Sequence, residues 1–216
     1  EPWVASTAAA QSGKGPLGVQ MLVTAPTPVP ANLAPLNLTE SSGGAVFSSS
    51  LPGTTPLRIS SGINGASDAC SAFPAGTFTG AIAVVRRGTC GFATKINNAA
   101  AAGAVAVIIA NNTSGVVVAS ITGTTVPSFT VTQAEGDALR NFGQANPTTA
   151  TAGISANRVR IPNTPDQLAS FSSRGPAGRY NLVKPDITAP GVDILAAVSG
   201  TTLTGSEQAV ALFSGT

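Results

Sequence analysis

With 216 residues, 9% of them charged and a formal net charge of +2, the chain is long enough for a sizeable core. Its charge balance is too weak for nucleic-acid binding, no run of like charges marks an interaction tail, and no apolar run reaches transmembrane length. The 24 Gly and 16 Pro imply many turns, which favours short strands over long helices.

Glu1 to Ala10 reads as an X-Pro start and a short strand, with Trp3 as its only large side chain. After a loop from Gln11 to Pro16, Leu17 to Thr24 is a second strand. Ala25 to Gly65 is rich in Pro, Ser, Thr, Gly and Asn, with apolar islands at Leu36 to Leu38, Ala45 to Phe47 and Leu57 to Ile59. These islands read as edge strands and loops of a β layer. Asp68 to Phe78 is a loop. Ala81 to Val85 is a buried strand, short and β-branched, which Arg86 and Arg87 end as a solvated tip.

From Phe92 the period changes: Phe92, Ile96 and Ala99 or Ala100 recur at helical spacing, within a block of alanines of high helix propensity. Gly103 stands where a left-handed helix cap belongs, and Ala104 to Ala110 is a second buried strand ending at Asn111 and Asn112. Strand, helix and strand in so few residues make a parallel unit with a right-handed crossover. A turn at Thr113 to Gly115 leads to a β-branched run from Val116 to Ile121, and Val126 to Val131 is another strand. Thr132 stands three residues before Glu135, a capping box that starts a helix from Gln133 to about Phe142, with Gly143 ending it. Asn146 to Ile161 alternates small polar and apolar residues, with Arg158 and Arg160 on one face of any strand there.

Cys70 and Cys90 are the only cysteines, and the absence of histidine rules out a Cys/His metal site. A disulfide between them would be worth roughly 3 kcal/mol and would imply an oxidising, extracellular setting. Two free thiols are the alternative.

The stretch from Gly80 to Asn112 closely resembles the signature of the protease-associated domain, in Arg87, Gly88, Cys90, Phe92, Lys95, Asn98, Ala99, Ala102, Gly103, Ala104 and Asn111. The later Pro-led strand, the Thr132 cap and the Gly136-Asp137 pair follow the same pattern. The resemblance implies an α+β, mostly β fold: an open β-barrel or sandwich with a βαβ unit and a few short helices, over residues 17–156.

The flanks have another character. Leu168 to Pro176 reads LASFSSRGP, Lys184 to Ala197 reads KPDITAPGVDILAA, and the last four residues are Phe213, Ser214, Gly215 and Thr216. In this order the blocks resemble the C-terminal part of the catalytic domain of subtilisin-like serine proteases, peptidase family S8, an α/β fold whose nucleophilic serine follows such a threonine. Residues 1–16 and 157–216 are then expected to be catalytic-domain segments around an inserted protease-associated domain, with Glu1-Pro2 a candidate cis bond. Residues 1–10 and 165–175 should lie side by side. The start at Glu1, without Met, fits an internal piece of a longer, processed protein.

A Ser-His-Asp mechanism needs a histidine base, and the chain has none. No catalytic residue is assigned, and the chain alone is expected to be inactive, whereas its parent would be a serine endopeptidase. A Ser-Lys dyad would need Lys14, Lys95 or Lys184 in an apolar setting, and these read as solvated or capping lysines. Asp186 and Asp193 flank the Ala-Pro-Gly turn as loop anchors. No calcium cage is supported there, and no metal or cofactor is expected, with calcium in the parent left open. The resemblance places Phe171, Ser172, Ser173, Ser214, Gly215 and Thr216 along the substrate cleft. Without the rest of the parent sheet, Ile187, Val192, Ile194 and Leu195 should be exposed, or buried only by a partner chain.

Expected partners are protein or peptide substrates and the remainder of the catalytic domain, with no nucleic acid and no membrane, in a secreted or cell-envelope setting. A stand-alone protein-binding module of a receptor or sorting protein is the alternative, and a fragment of a zinc aminopeptidase a further one. Sequons at Asn37, Asn111 and Asn112 read as chance occurrences.

Overall fold

A computed structural model describes residues 5–13, 15–169, 171–175, 183–192, 194–197 and 210–215. The Glu1-Pro2 bond, Trp3, Lys14, Asp193 and Thr216 lie outside the described residues. The chain forms two compact units, one of residues 18–159 and one of residues 1–17 with 160–216.

The larger unit is a closed barrel. Its strands are β2 (Leu17–Ala25), β3 (Leu36–Glu40), β4 (Leu51–Ile59), β5 (Ile82–Arg86), β6 (Ala106–Ala110), β7 (Ser128–Val131) and β8 (Thr151–Arg160). They follow one another around the barrel in the order β2-β3-β7-β6-β5-β4-β8. Helix α1 (Phe92–Ala101) makes the crossover between the parallel strands β5 and β6, and α2 (Gln133–Ala145) follows β7. The α+β, mostly β class with a βαβ unit is the observed one.

The apolar runs of β5 and β6 are continuous because both faces of this strand pair are buried. Ile82, Val84, Ala106 and Ile108 enter a core with Met21, Leu36, Leu57, Phe129 and Leu139. Their neighbours Ala83, Val85, Val107 and Ile109 face a second core with Phe78, Ile96 and Ala99, covered by α1. The two-residue period of a strand thus divides one hydrophobic segment between two cores.

Three expectations need correction. β3 and β4 are interior strands, β3 between β2 and β7 and β4 between β8 and β5, because the barrel leaves no edge. Pro52 and Gly53 lie where the pairing of β4 with β8 shifts register, between Leu51 and Thr55, which lets a proline-bearing strand sit inside a sheet. The run from Val116 to Ile121 is not a strand. It makes one bridge, Ser120 to Ser42, burying Ala119 and Ile121 and exposing Val116 and Val118.

Helix α2 has the expected capping box at Thr132 and Glu135 but runs past the expected stop, through Gly143 to Ala145. Gly143 is a contact residue, not a terminator: a Cβ there would lie 2.1 Å from Ile59 Cγ1. Gly136, about two turns earlier in the same helix, would bring a Cβ within 2.4 Å of Ala110 Cβ. Gly136→Ala therefore trades a propensity gain of about 1 kcal/mol against overpacking. Urea unfolding should show a net loss of up to about 2 kcal/mol for this variant, an overpacking cost of about 1–3 kcal/mol less the propensity gain, and a gain would mean that α2 does not press on β6 as described.

Candidate functional site

The signature residues converge on one loop, residues 60–72, and hold it against β5 and α1. Asp68, buried, accepts from Ser60 Oγ through Oδ1 and from Arg86 N through Oδ2 at 2.7 Å. Thr89 N donates to Ala66 O at 2.8 Å, and Asn98 Nδ2 to Ala69 O at 2.9 Å. A Cβ on Gly88 would fall 1.6 Å from Ala66 O, so the loop passes where only glycine leaves room. A disulfide joins Cys70 to Cys90, with Cα atoms 5.7 Å apart. Asp68 escaped sequence reasoning; its one signal was a lone carboxylate two residues before the cysteine.

Lys95 corrects the expectation of a solvated side chain. It is fully buried on the face of α1 that also buries Ile96 and Ala99, and Nζ donates to Asp68 O and, at 3.4 Å, to Cys70 Sγ. Burial pushes its pKa down, and the charge of Asp68 opposes that shift. Arg87 is likewise no free strand tip. Its Nη1 donates to Asn111 Oδ1 at 3.0 Å, and its guanidinium lies over the Phe92 ring, 5.8 Å from the centroid. Asn111 is buried and donates from Nδ2 to Gly115 O, so its amide is occupied. Gly103, at φ +98°, ends the first crossover turn as expected. Chemically this cluster is a clamp: it holds one buried cation and one buried carboxylate by hydrogen bonds and presents no nucleophile with a base.

The smaller unit contains the flanking blocks. β1 (Thr7–Ala10) pairs in parallel with β9 (Ile187–Pro190), and β10 (Ile194–Ala197) pairs with β11 (Val210–Phe213). Gln11 N donates to Gln167 O and Ala169 N to Ala9 O, each at 2.9 Å, so the segments before and after the barrel lie side by side. Ser172 is buried, its Oγ accepting from Ala9 N at 3.1 Å, while Phe171 and Ser173 beside it are exposed. Ser214 and Gly215 are exposed, and Gly215 N donates to Gly191 O. Ile187 and Ile194 are exposed, at 60% and 38%, Val192 is half-buried, and the side chain of Leu195 lies outside the described residues.

Asp186 accepts from Ser6 N at 2.7 Å and from Lys184 Nζ at 2.7 Å. The Lys184 ammonium first, and then the Ser6 N–H, hold its carboxyl at about 2, below the ordinary 3.8.

The fold and this cluster define a PA domain: the family model of that description matches residues 54–139. The chain carries this domain and is related to subtilisin-like proteases. It is 35% identical over 140 residues to the minor extracellular protease Vpr of Bacillus subtilis, across 65% of this chain and 16% of Vpr. It is 38% identical over 120 residues to the PII-type proteinase of Lactococcus lactis subsp. cremoris, across 53% of this chain and 6% of that protein. Against a subtilisin-like protease of Arabidopsis thaliana it is 38% identical over 102 residues, 46% of this chain and 13% of the relative. The chain thus matches between 6% and 16% of the length of these proteins. Among solved structures, an aminopeptidase from Aneurinibacillus sp. strain AM-1 superposes with a TM-score of 0.46 at 24% identity, over 68% of this chain and 32% of that one. No helix among the described residues is long and apolar enough to cross a membrane.

Two titrations test the electrostatics. Unfolded, Lys95 keeps its proton up to its ordinary 10.5, whereas the folded chain releases it lower. In that window the unfolded state binds more protons, so stability rises with pH. Urea unfolding followed as pH rises toward 10.5 should therefore show wild type gaining on Lys95→Met, and parallel curves would contradict the burial of Lys95. For Asp186, the contribution of its contacts is present above 3.8 and is lost as pH falls through about 2. Carboxyl carbon-13 NMR should place its midpoint near 2, and Lys184→Ala should raise it.

Proposed function

We propose that this chain is the PA insertion of a secreted or cell-envelope subtilisin-like serine endopeptidase, together with the catalytic-domain segments on either side, and is not catalytic by itself. The barrel borders the cleft of the parent enzyme and shapes access of protein substrates to it. Phe171, Ser172, Ser173, Ser214, Gly215 and Thr216 belong to the cleft side of the catalytic-domain segments. Their partners are the remainder of that domain and the protein or peptide substrate. No cofactor is assigned.

One observation carries this reading: the chain leaves β1 at Gln11 and returns beside it at Asp166. Asp166 N donates to Gln11 O at 3.0 Å and Gln11 N to Gln167 O at 2.9 Å. Insertion at a point whose two ends meet is the arrangement that a host domain tolerates. The absence of histidine supports an inactive piece, because the serine mechanism requires that base. The parallel pairing of β1 with β9, outside the barrel, speaks against a stand-alone binding module.

The test uses the parent protease with residues 17–156 replaced by a short Gly-Ser link. Relative to the intact enzyme, kcat/KM for casein should change about tenfold more than kcat/KM for a short chromogenic peptide, because only the large substrate meets the barrel. Equal changes for both substrates would overturn the access role. The isolated chain should hydrolyse neither substrate above the buffer rate, and turnover by it would overturn the non-catalytic assignment.

A further inference from the structure

Cys70 and Cys90 are both half-buried, and the two ends of their bond differ in their surroundings. Cys70 Sγ receives the Lys95 ammonium at 3.4 Å from the buried side, and Thr89 Oγ1 lies 3.7 Å away. Cys90 stands between the exposed residues Thr89 and Gly91, immediately before the first turn of α1. Gly91, the N-cap of α1, supplies no side-chain acceptor to the first N–H groups of the helix.

Thiol–disulfide exchange is governed by access to the attacked sulfur and by the stability of the departing thiolate. A cation in contact with a sulfur stabilises its thiolate, and an uncapped helix N-terminus does so more weakly for the residue beside it. Lys95 therefore favours Cys70 as the group that departs, and the exposed neighbours of Cys90 favour attack there.

We propose that Cys90 is an S-thiolation site: a small-molecule thiol such as glutathione attacks Cys90 Sγ, and Cys70 leaves as a thiolate held by the Lys95 ammonium. The incoming thiolate forms the new sulfur–sulfur bond to Cys90, the Cys70–Cys90 bond breaks, and its electron pair stays on Cys70. A second thiolate then removes the cap as the small-molecule disulfide and leaves Cys90 as a thiolate, which takes a proton from water. Lys95 is a positioning residue in this exchange. Opening the bond releases residues 60–72 from their covalent tie and leaves the hydrogen bonds of Asp68, Ala66 and Ala69 to hold the loop.

The chain is incubated with millimolar glutathione, quenched with iodoacetamide and digested with trypsin. Cys90 then lies on the peptide Gly88 to Lys95 and Cys70 on the peptide Ile59 to Arg86. Glutathione should be found on the Cys90 peptide and the iodoacetamide label on the Cys70 peptide. The opening rate should fall about tenfold in Lys95→Met and return in Lys95→Arg, which keeps the cation. Glutathione on Cys70, no exchange at all, or an unchanged rate in a folded Lys95→Met would overturn the proposal. Should Lys95→Met fail to fold by circular dichroism, the position of glutathione on the wild-type chain decides alone.

Discussion

The barrel depends on one buried polar contact: the loop carrying Asp68 is fastened to β5 through a carboxylate and to α1 through a lysine. Asp68 receives Ser60 Oγ and Arg86 N, and its own carbonyl receives Lys95 Nζ. Leaving either partner alone in the interior would strand a charge or a donor without compensation, which is costly, so the loop, strand and helix are held to one mutual arrangement. The disulfide and Gly88 repeat the same fastening a few ångströms away, by a covalent bond and by close approach.

The pattern that makes the segment recognisable is therefore explained by architecture. Arg87 reaches Asn111, Lys95 and Asn98 reach the 60–72 loop, and Cys90 is tied to that loop. A buried lysine with a perturbed pKa can mark a reactive centre, and structural networks shift pKa values in the same way. Here the lysine is occupied by a carbonyl and a sulfur.

The β5-α1-β6 unit was legible in the sequence because its signals are local: a β-branched run, a change of period at Phe92 and a glycine at Gly103 with positive φ. The capping box of α2 was legible for the same reason. What escaped depends on partners distant in sequence. The burial of Lys95 follows from which side of α1 the 60–72 loop covers, and nothing in the helix itself states that. Gly143 reads as a stop until Ile59 is placed against it. The islands Leu36 to Leu38 and Leu57 to Ile59 read as edge strands because they lie in a proline-rich stretch, whereas closure of the barrel abolishes the edge. The assignment of Phe171, Ser172, Ser173, Ser214, Gly215 and Thr216 to a cleft rests on resemblance alone, and the Ser172 hydroxyl accepts from Ala9 N of β1.

The meeting of the chain at Gln11 and Asp166 bears on the order in which the two units can form. Bringing these ends together through an unfolded intervening chain costs entropy that grows as the logarithm of loop length. Once the barrel exists, Ile161 N is bonded to Pro16 O and the free loop shrinks to the few residues on either side. Shortening a loop from most of a domain to about ten residues recovers roughly 2 kcal/mol, a substantial fraction of the stability of a small sheet. A barrel that completes first thus turns the meeting of Gln11 with Asp166, far apart in sequence, into a nearly local one.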